Sequence, residues 1–186
     1  MSAIRRDYFA LPWILGSLFL AGIVHISSVL MMPRFAEKDA FALLSVPIDG
    51  VQLLPDASDR QSIPFQDPAA TLATCRFDLD KGPMLIRYNA GENLLTMSFR
   101  DRTGNVFYST TDRAALRGKL DILLVDAQQL DNLEANDPED QAPQELRLVP
   151  PTRTGFVLIR AIADRDGGRS AAINAARSVV CRALRG

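Results

Sequence analysis

Histidine is almost missing from this sequence: among 186 residues there is one, His25, and it lies near the N-terminus. The residues after position 32 therefore contain no base of the kind that Ser-His-Asp and Cys-His hydrolases need beside the nucleophile. We therefore expect neither class of hydrolase here, whereas Ser-Lys hydrolases stay open. Basic residues are not in excess either, because 21 Lys and Arg stand against 22 Asp and Glu. A nucleic-acid binder needs a basic surface to neutralise phosphates, so we expect no nucleic-acid partner.

Charged residues are also missing from residues 8–33, which form one long apolar run. At ~1.5 Å per residue, residues 9–32 would make a helix of about 36 Å, enough to cross a hydrocarbon layer of ~30 Å with some tilt. Tyr8 and Trp13 lie near its start, where amphipathic rings favour the headgroup region. Pro33 is expected to end the helix. We therefore predict one transmembrane helix over residues 9–32, with the lipid bilayer as its surroundings.

The orientation of this helix is predicted from Arg5 and Arg6, which precede it in a short tail. Short basic segments are retained on the cytoplasmic side. Residues 1–8 are then a cytoplasmic tail, and everything after the helix lies in the periplasm of a bacterial inner membrane. A cleaved signal peptide is the alternative. The run is long for one, and no small-x-small pair directly follows it, so an uncleaved signal anchor is favoured.

One face of the predicted anchor carries small and polar residues. Their spacing of i, i+4, i+8 and i+11 places on one side of the helix Ser17, Ala21, His25 and Ser28. In lipid, a polar group gains by finding a partner on another helix, so this face suggests contact with a second membrane protein. The alternatives are a neutral His25 bonded to a backbone carbonyl, and proton or metal chemistry. A single histidine makes a poor metal site, and we expect no metal and no cofactor.

The remaining residues predict an α+β domain with an antiparallel sheet or sandwich and two or three packing helices. Residues 33–66 read as a juxtamembrane helix (about residues 35–46) and a loop, and residues 67–186 as the domain itself. Within it, Asp67-Pro68 suggests a helix through about Cys75. Ser170 suggests a C-terminal helix that continues past Val180. The polar, acidic residues 126–144 suggest an exposed loop. Strands are expected over residues 76–79, 84–88, 94–100, 106–111, 119–125, 145–149 and 155–163, with a hairpin turn at residues 103–105.

Two cysteines, Cys75 and Cys181, would both lie outside the cytoplasm. A pair in an oxidising compartment suggests a disulfide, and two buried free thiols are the alternative. Because both cysteines lie on predicted helices, the bond would join the C-terminal helix to the one that begins at Asp67.

Mixed charges crowd the strand region. Arg100 beside Tyr108, with Arg87, could border a ligand pocket, although such charges are more often a solvated sheet face.

Several short segments resemble a family of uncharacterised bacterial proteins described only as predicted integral membrane proteins. The segments are Asp67-Pro68, Cys75-Arg76-Phe77-Asp78-Leu79, Gly82-Pro83, Ser98-Phe99-Arg100-Asp101, Gly104-Asn105-Val106-Phe107 and, within the apolar run, residues 22–26. The central strands also resemble part of the paired envelope domains of unknown function, which are larger and sandwich-like. The resemblance covers residues 22–121 and the C-terminal helix, and has no counterpart for residues 126–144. It implies an inner-membrane anchor with a periplasmic domain, and it implies no activity.

Taken together, these features predict a membrane-anchored envelope protein that is a non-enzymatic accessory or interaction module. The alternative is a periplasmic small-molecule-binding domain or enzyme with its site near Arg100 and Tyr108.

Overall fold

A computed structural model describes residues 3–35, 49–56, 59, 66–91, 93–137, 145–162 and 168–184. The chain divides into two units, Met1–Lys38 and Asp39–Gly186. The first contains one helix, α1 (Ala3–Phe35). Within it, Leu11–Met32 is long and apolar enough to cross a membrane, as the sequence predicted. The helix begins before residue 9. It also runs two residues past Pro33, so the predicted end at Pro33 is wrong. A proline in the last turn removes only a single hydrogen bond and therefore does not end the helix at once.

The described residues of the second unit form two β-sheets, two α-helices and two short 3-10 helices, Leu79–Lys81 and Asp112–Ala114. The strands are β1 (Gln52–Leu53), β2 (Ala70–Asp78), β3 (Met84–Asn89), β4 (Leu95–Asp101), β5 (Val106–Thr111), β6 (Lys119–Leu124), β7 (Leu146–Leu148), β8 (Thr154–Ile162) and β9 (Val180–Ala183). The helices are α2 (Ala127–Asn136) and α3 (Arg169–Arg177). The five-stranded sheet has the order β1-β2-β8-β4-β5, and the four-stranded sheet has the order β7-β6-β3-β9. All neighbours are antiparallel except β6 and β7. The α+β class is therefore confirmed.

The hydrophobic core lies between the two sheets. Strand residues alternate between this core and the outer faces, as the period of two requires. The five-stranded sheet contributes Phe77, Met97, Phe99 and Ile159, and the four-stranded sheet contributes Ile86, Tyr88 and Ile122, all of them fully buried or nearly so. Helix α3 packs on β2 and β8, and its Ala172 and Ala176 belong to the same core.

The helix predicted from Asp67 to Cys75 is wrong, because those residues enter strand β2. The signal that suggested the helix is a local turn: the Asp67 carboxylate accepts a hydrogen bond from the backbone N–H of Ala69 at 2.9 Å. From Ala70 onwards every residue of β2 pairs with β8 in an unbroken antiparallel register. Pairing along nine residues outweighs the weak helix propensity of this segment.

The C-terminal helix is shorter than predicted. It ends at Arg177, and Val179 and Val180 lead directly into strand β9. The two β-branched residues and pairing with β3 favour a strand here. The prediction that the helix continues past Val180 is therefore wrong.

The predicted loop over residues 126–144 is wrong in its first half, which forms helix α2. Asp126 accepts a hydrogen bond from the backbone N–H of Gln129 at 2.7 Å, and the Gln129 side chain accepts one from the backbone N–H of Asp126 at 3.0 Å. This capping box satisfies two orphan donors and begins a helix that buries none of its residues fully. Residues 138–144 and most of the predicted juxtamembrane helix lie outside the described residues.

Candidate functional site

Cys75 and Cys181 form a disulfide, so the predicted pairing is confirmed. Neither cysteine lies on a helix, however. Cys75 is on β2 of the five-stranded sheet and Cys181 is on β9 of the four-stranded sheet, with 6.5 Å between their Cα atoms. Both are buried. The bond therefore links the two layers of the sandwich through its core and closes a chain segment of 106 residues.

The structure does not bring together the three residues of the predicted ligand pocket. Arg87 lies on β3 of the four-stranded sheet, where its Nε donates to the Asp121 carboxylate on β6 at 2.7 Å. That hydrogen bond and the attached charge raise the pKa of Arg87. Arg100 and Tyr108 are on neighbouring strands of the other sheet. Tyr108 pairs with Phe99, so its side chain lies on the core side, while Arg100 points to the opposite face.

A bulge explains why two aromatic residues in succession face the core. The register between β4 and β5 shifts between Phe99 and Arg100, which leaves Phe107 without a paired residue. In such a bulge, consecutive side chains can lie on the same side of the sheet. Phe107 and Tyr108 both contact the Phe99 ring, with ring centroids at 6.3 and 5.7 Å.

The outer face of the five-stranded sheet carries an arginine on each side of an aromatic ring. Phe156 of β8 is directly opposite Arg76 of β2 and directly opposite Arg100 of β4. Arg100 donates from Nη1 to the carbonyl of Gly104 at 2.8 Å, so part of its guanidinium supports the hairpin turn. Arg76 was not among the predicted site residues. The signal that could have found it is its strand register with Arg100, which the sequence alone does not show.

The predicted hairpin turn at residues 103–105 is confirmed, and Asp101 organises it. Its carboxylate accepts hydrogen bonds from the backbone N–H groups of Thr103 and Asn105, both at 2.9 Å, and from both side chains. Burial raises the pKa of Asp101, but these hydrogen bonds favour the charged form and together hold the pKa below its usual value. The carboxylate therefore stabilises the turn and is not poised as an acid or base.

Arg147 on β7 forms ion pairs with two carboxylates, those of Asp137 and Glu145. Its guanidinium donates to Asp137 at 2.9 Å and to Glu145 at 3.0 Å. The hydrogen bond to Arg147 lowers the pKa of Asp137 and raises that of the arginine. These bonds fasten the end of α2 to the edge of the four-stranded sheet. Sequence analysis missed this contact, although Glu145 and Arg147 follow directly after the acidic segment.

We expect the Asp137–Arg147 pair to make folding more sensitive to acid. Because the pKa of Asp137 is depressed in the folded protein, its contribution is complete above the ordinary carboxylate range and is lost as the pH falls below about 4. Thermal unfolding between pH 3 and 7 should show a smaller loss of Tm on acidification for Asp137→Asn than for the wild type. Asp131→Asn, at an exposed position of α2, serves as the control and should follow the wild-type curve.

The four residues of the predicted contact face all lie on α1 and are exposed: Ser17, Ala21, His25 and Ser28. The Ser17 hydroxyl donates to the carbonyl of Ile14 at 2.9 Å, so that polar group is already satisfied within the helix. A shallow apolar groove runs along another face of the same helix, over Leu15, Phe19, Gly22 and Ile26. Among the described residues, no group of three or more His, Cys, Asp or Glu side chains could hold a metal ion.

Comparisons with known proteins show the fold alone. No known family profile matches the chain, and no curated protein matches it significantly. Among solved structures, the VPA0106 protein from Vibrio parahaemolyticus is similar with a TM-score of 0.53 at 12% identity, covering 78% of this chain and 32% of that one. An uncharacterized protein from Burkholderia cenocepacia gives a TM-score of 0.44 at 13% identity, covering 72% and 35%. This chain thus spans about a third of the length of either protein, and neither description names an activity.

Proposed function

We propose that this chain is a single-pass protein of a bacterial inner membrane whose β-sandwich lies in the periplasm and serves as an accessory or interaction module. The observation that carries the proposal is the buried disulfide between the two sheets. Disulfides form and persist in oxidising compartments and are rare in the cytosol. A disulfide between the two sheets therefore fits a domain on the outer side of the inner membrane. The same location follows from Arg5 and Arg6, which precede the apolar helix and favour a cytoplasmic N-terminus.

An interaction role fits the way in which the polar groups of the domain are used. The Asp101 carboxylate holds a turn, the Arg87–Asp121 pair joins two strands, and the Arg147 cluster fastens α2. Each of these charged groups therefore contributes to the framework. The domain also contains no histidine to act as a general base near neutral pH. These observations favour a protein that acts through its surfaces.

The location is tested by reporter fusions after Gly186 in a Gram-negative host. We expect the alkaline phosphatase fusion to be active, because this enzyme needs disulfides that form in the periplasm. We expect a fusion to green fluorescent protein, which serves as the cytoplasmic reporter, to stay dark because the same anchor exports it. The matched control replaces Arg5 and Arg6 with Glu, which should lower the phosphatase activity severalfold because the cytoplasmic anchor of the tail is lost. An inactive phosphatase fusion with a bright cytoplasmic reporter would contradict both the orientation and the compartment.

A further inference from the structure

Three of the four sheet edges among the described residues are short, charged or covered. β1 has two residues, and β7 has three, including the ion-paired Arg147. β9 is covered by the residues just before β1. The N–H of Gly50 donates to the carbonyl of Cys181, and the Asp49 carboxylate accepts from the N–H of Ala183, both at 3.0 Å. Such features are the ones that proteins use to prevent edge strands from pairing with another chain.

Strand β5 has few of these protections. It has six residues, lies at the end of the five-stranded sheet, and contains no charge and no proline. All of its residues except Ser109 are strong strand formers. The bulge disturbs only its beginning, and residues 108–111 pair regularly with β4. In an antiparallel ladder, alternate residues direct their backbone N–H and C=O groups away from the neighbouring strand. Residues 108–111 therefore present an unpaired backbone edge within the described part of the chain.

We propose that β5 is a dimerisation edge, on which a second copy of this chain adds its own β5 in antiparallel orientation. This rests on the proposed function, since anchored copies share one membrane plane and meet often. An antiparallel pair of identical strands satisfies two-fold symmetry, so the same edge serves both partners. The uncharged strand brings no like charges together, and hydroxyl side chains such as Ser109 and Thr111 form favourable cross-strand pairs.

The experiment uses the full chain in a mild detergent and measures its protein mass by size-exclusion chromatography with light scattering. We expect the wild type to have the mass of two chains. Ser109→Lys, at an exposed position of β5, should have the mass of one chain, because two lysines would then meet near the symmetry axis. The matched control is Val180→Lys, which adds the same charge to the outer strand of the other sheet at a side chain that is 48% exposed, and should keep the mass of two chains.

Charge reversal separates lost pairing from lost folding. Ser109→Glu alone should also be a single chain, and a mixture of the Lys and Glu variants should recover the two-chain mass. Because both native cysteines are bonded, Ser109→Cys introduces one reactive thiol, and mild oxidation should cross-link two chains at high yield, whereas Val180→Cys should not.

Several results would overturn the proposal. They are a wild type with the mass of one chain, a two-chain mass that survives Ser109→Lys, or a mixture of charge variants that stays monomeric. A two-chain mass that is lost only on His25→Leu would assign association to the anchor instead. A different protein that binds the wild type and is lost with Ser109→Lys would show that the edge has another occupant. The reporter fusions test location separately, so failure here leaves that result unchanged.

Discussion

Gly155→Ala is expected to destabilise the domain strongly. Gly155 lies buried on β8, opposite Phe77 of β2 and Asp101 of β4. A Cβ atom there would overlap both the Phe77 ring and the backbone carbonyl oxygen of Arg100. The Phe77 ring could move, but the carbonyl belongs to the strand ladder. We expect a loss of about 3 kcal/mol or more, at or above the upper end for overpacked cores.

Urea unfolding of the full chain, followed by circular dichroism, measures this loss. The control is Gly91→Ala, where the added Cβ would meet only the Tyr88 hydroxyl at an ordinary contact distance of 3.8 Å. That variant should remain within about 1 kcal/mol of the wild type. Adding Phe77→Leu to Gly155→Ala should recover only part of the loss, since the clash with the Arg100 carbonyl remains. A Gly155→Ala protein as stable as the Gly91→Ala control would contradict the packing described here.

Removing the disulfide is expected to have an effect of similar size through a different cause. The Cys75–Cys181 bond closes a segment of 106 residues, which in the chain-entropy model restricts the unfolded state by about 4–5 kcal/mol. The Cys75→Ala/Cys181→Ala double variant loses this restriction, and it avoids leaving a single reactive thiol. We expect a decrease in Tm of about 8–20 °C, since about 1 kcal/mol shifts the Tm of a domain of this size by roughly 2–4 °C.

Thiol counting and thermal unfolding before and after reduction test the same bond in the wild type. Reduction of the native protein should be slow, because both sulfur atoms are buried, and fast once urea opens the domain. The reduced wild type and the double variant should have similar Tm values. An unchanged Tm after complete reduction would mean that the core between the sheets holds the two layers together without the bond.

The sequence predicts well those features that depend on neighbouring residues. The apolar run of α1, the hairpin turn ordered by Asp101, and the bounds of β5 follow from composition, turn chemistry and alternation. It predicts poorly where local signals conflict with pairing. Asp67-Pro68 is a good start for a helix, yet β2 follows because β8 lies beside it. The Ser170 helix ends early because β3 accepts residues 180–183 as a strand.

The sequence by itself determined that the chain has an apolar segment long enough to span a membrane, an α+β class and two cysteines that could pair. Only the tertiary structure decided which residues share a surface. Arg100 and Tyr108 are eight positions apart and on adjacent strands, but one lies on the outer face and the other on the core side. The same holds for the disulfide between the sheets and for the position of β5 at the end of its sheet. Each depends on strand order and register, which arise from contacts between residues far apart in the chain and not from any local pattern.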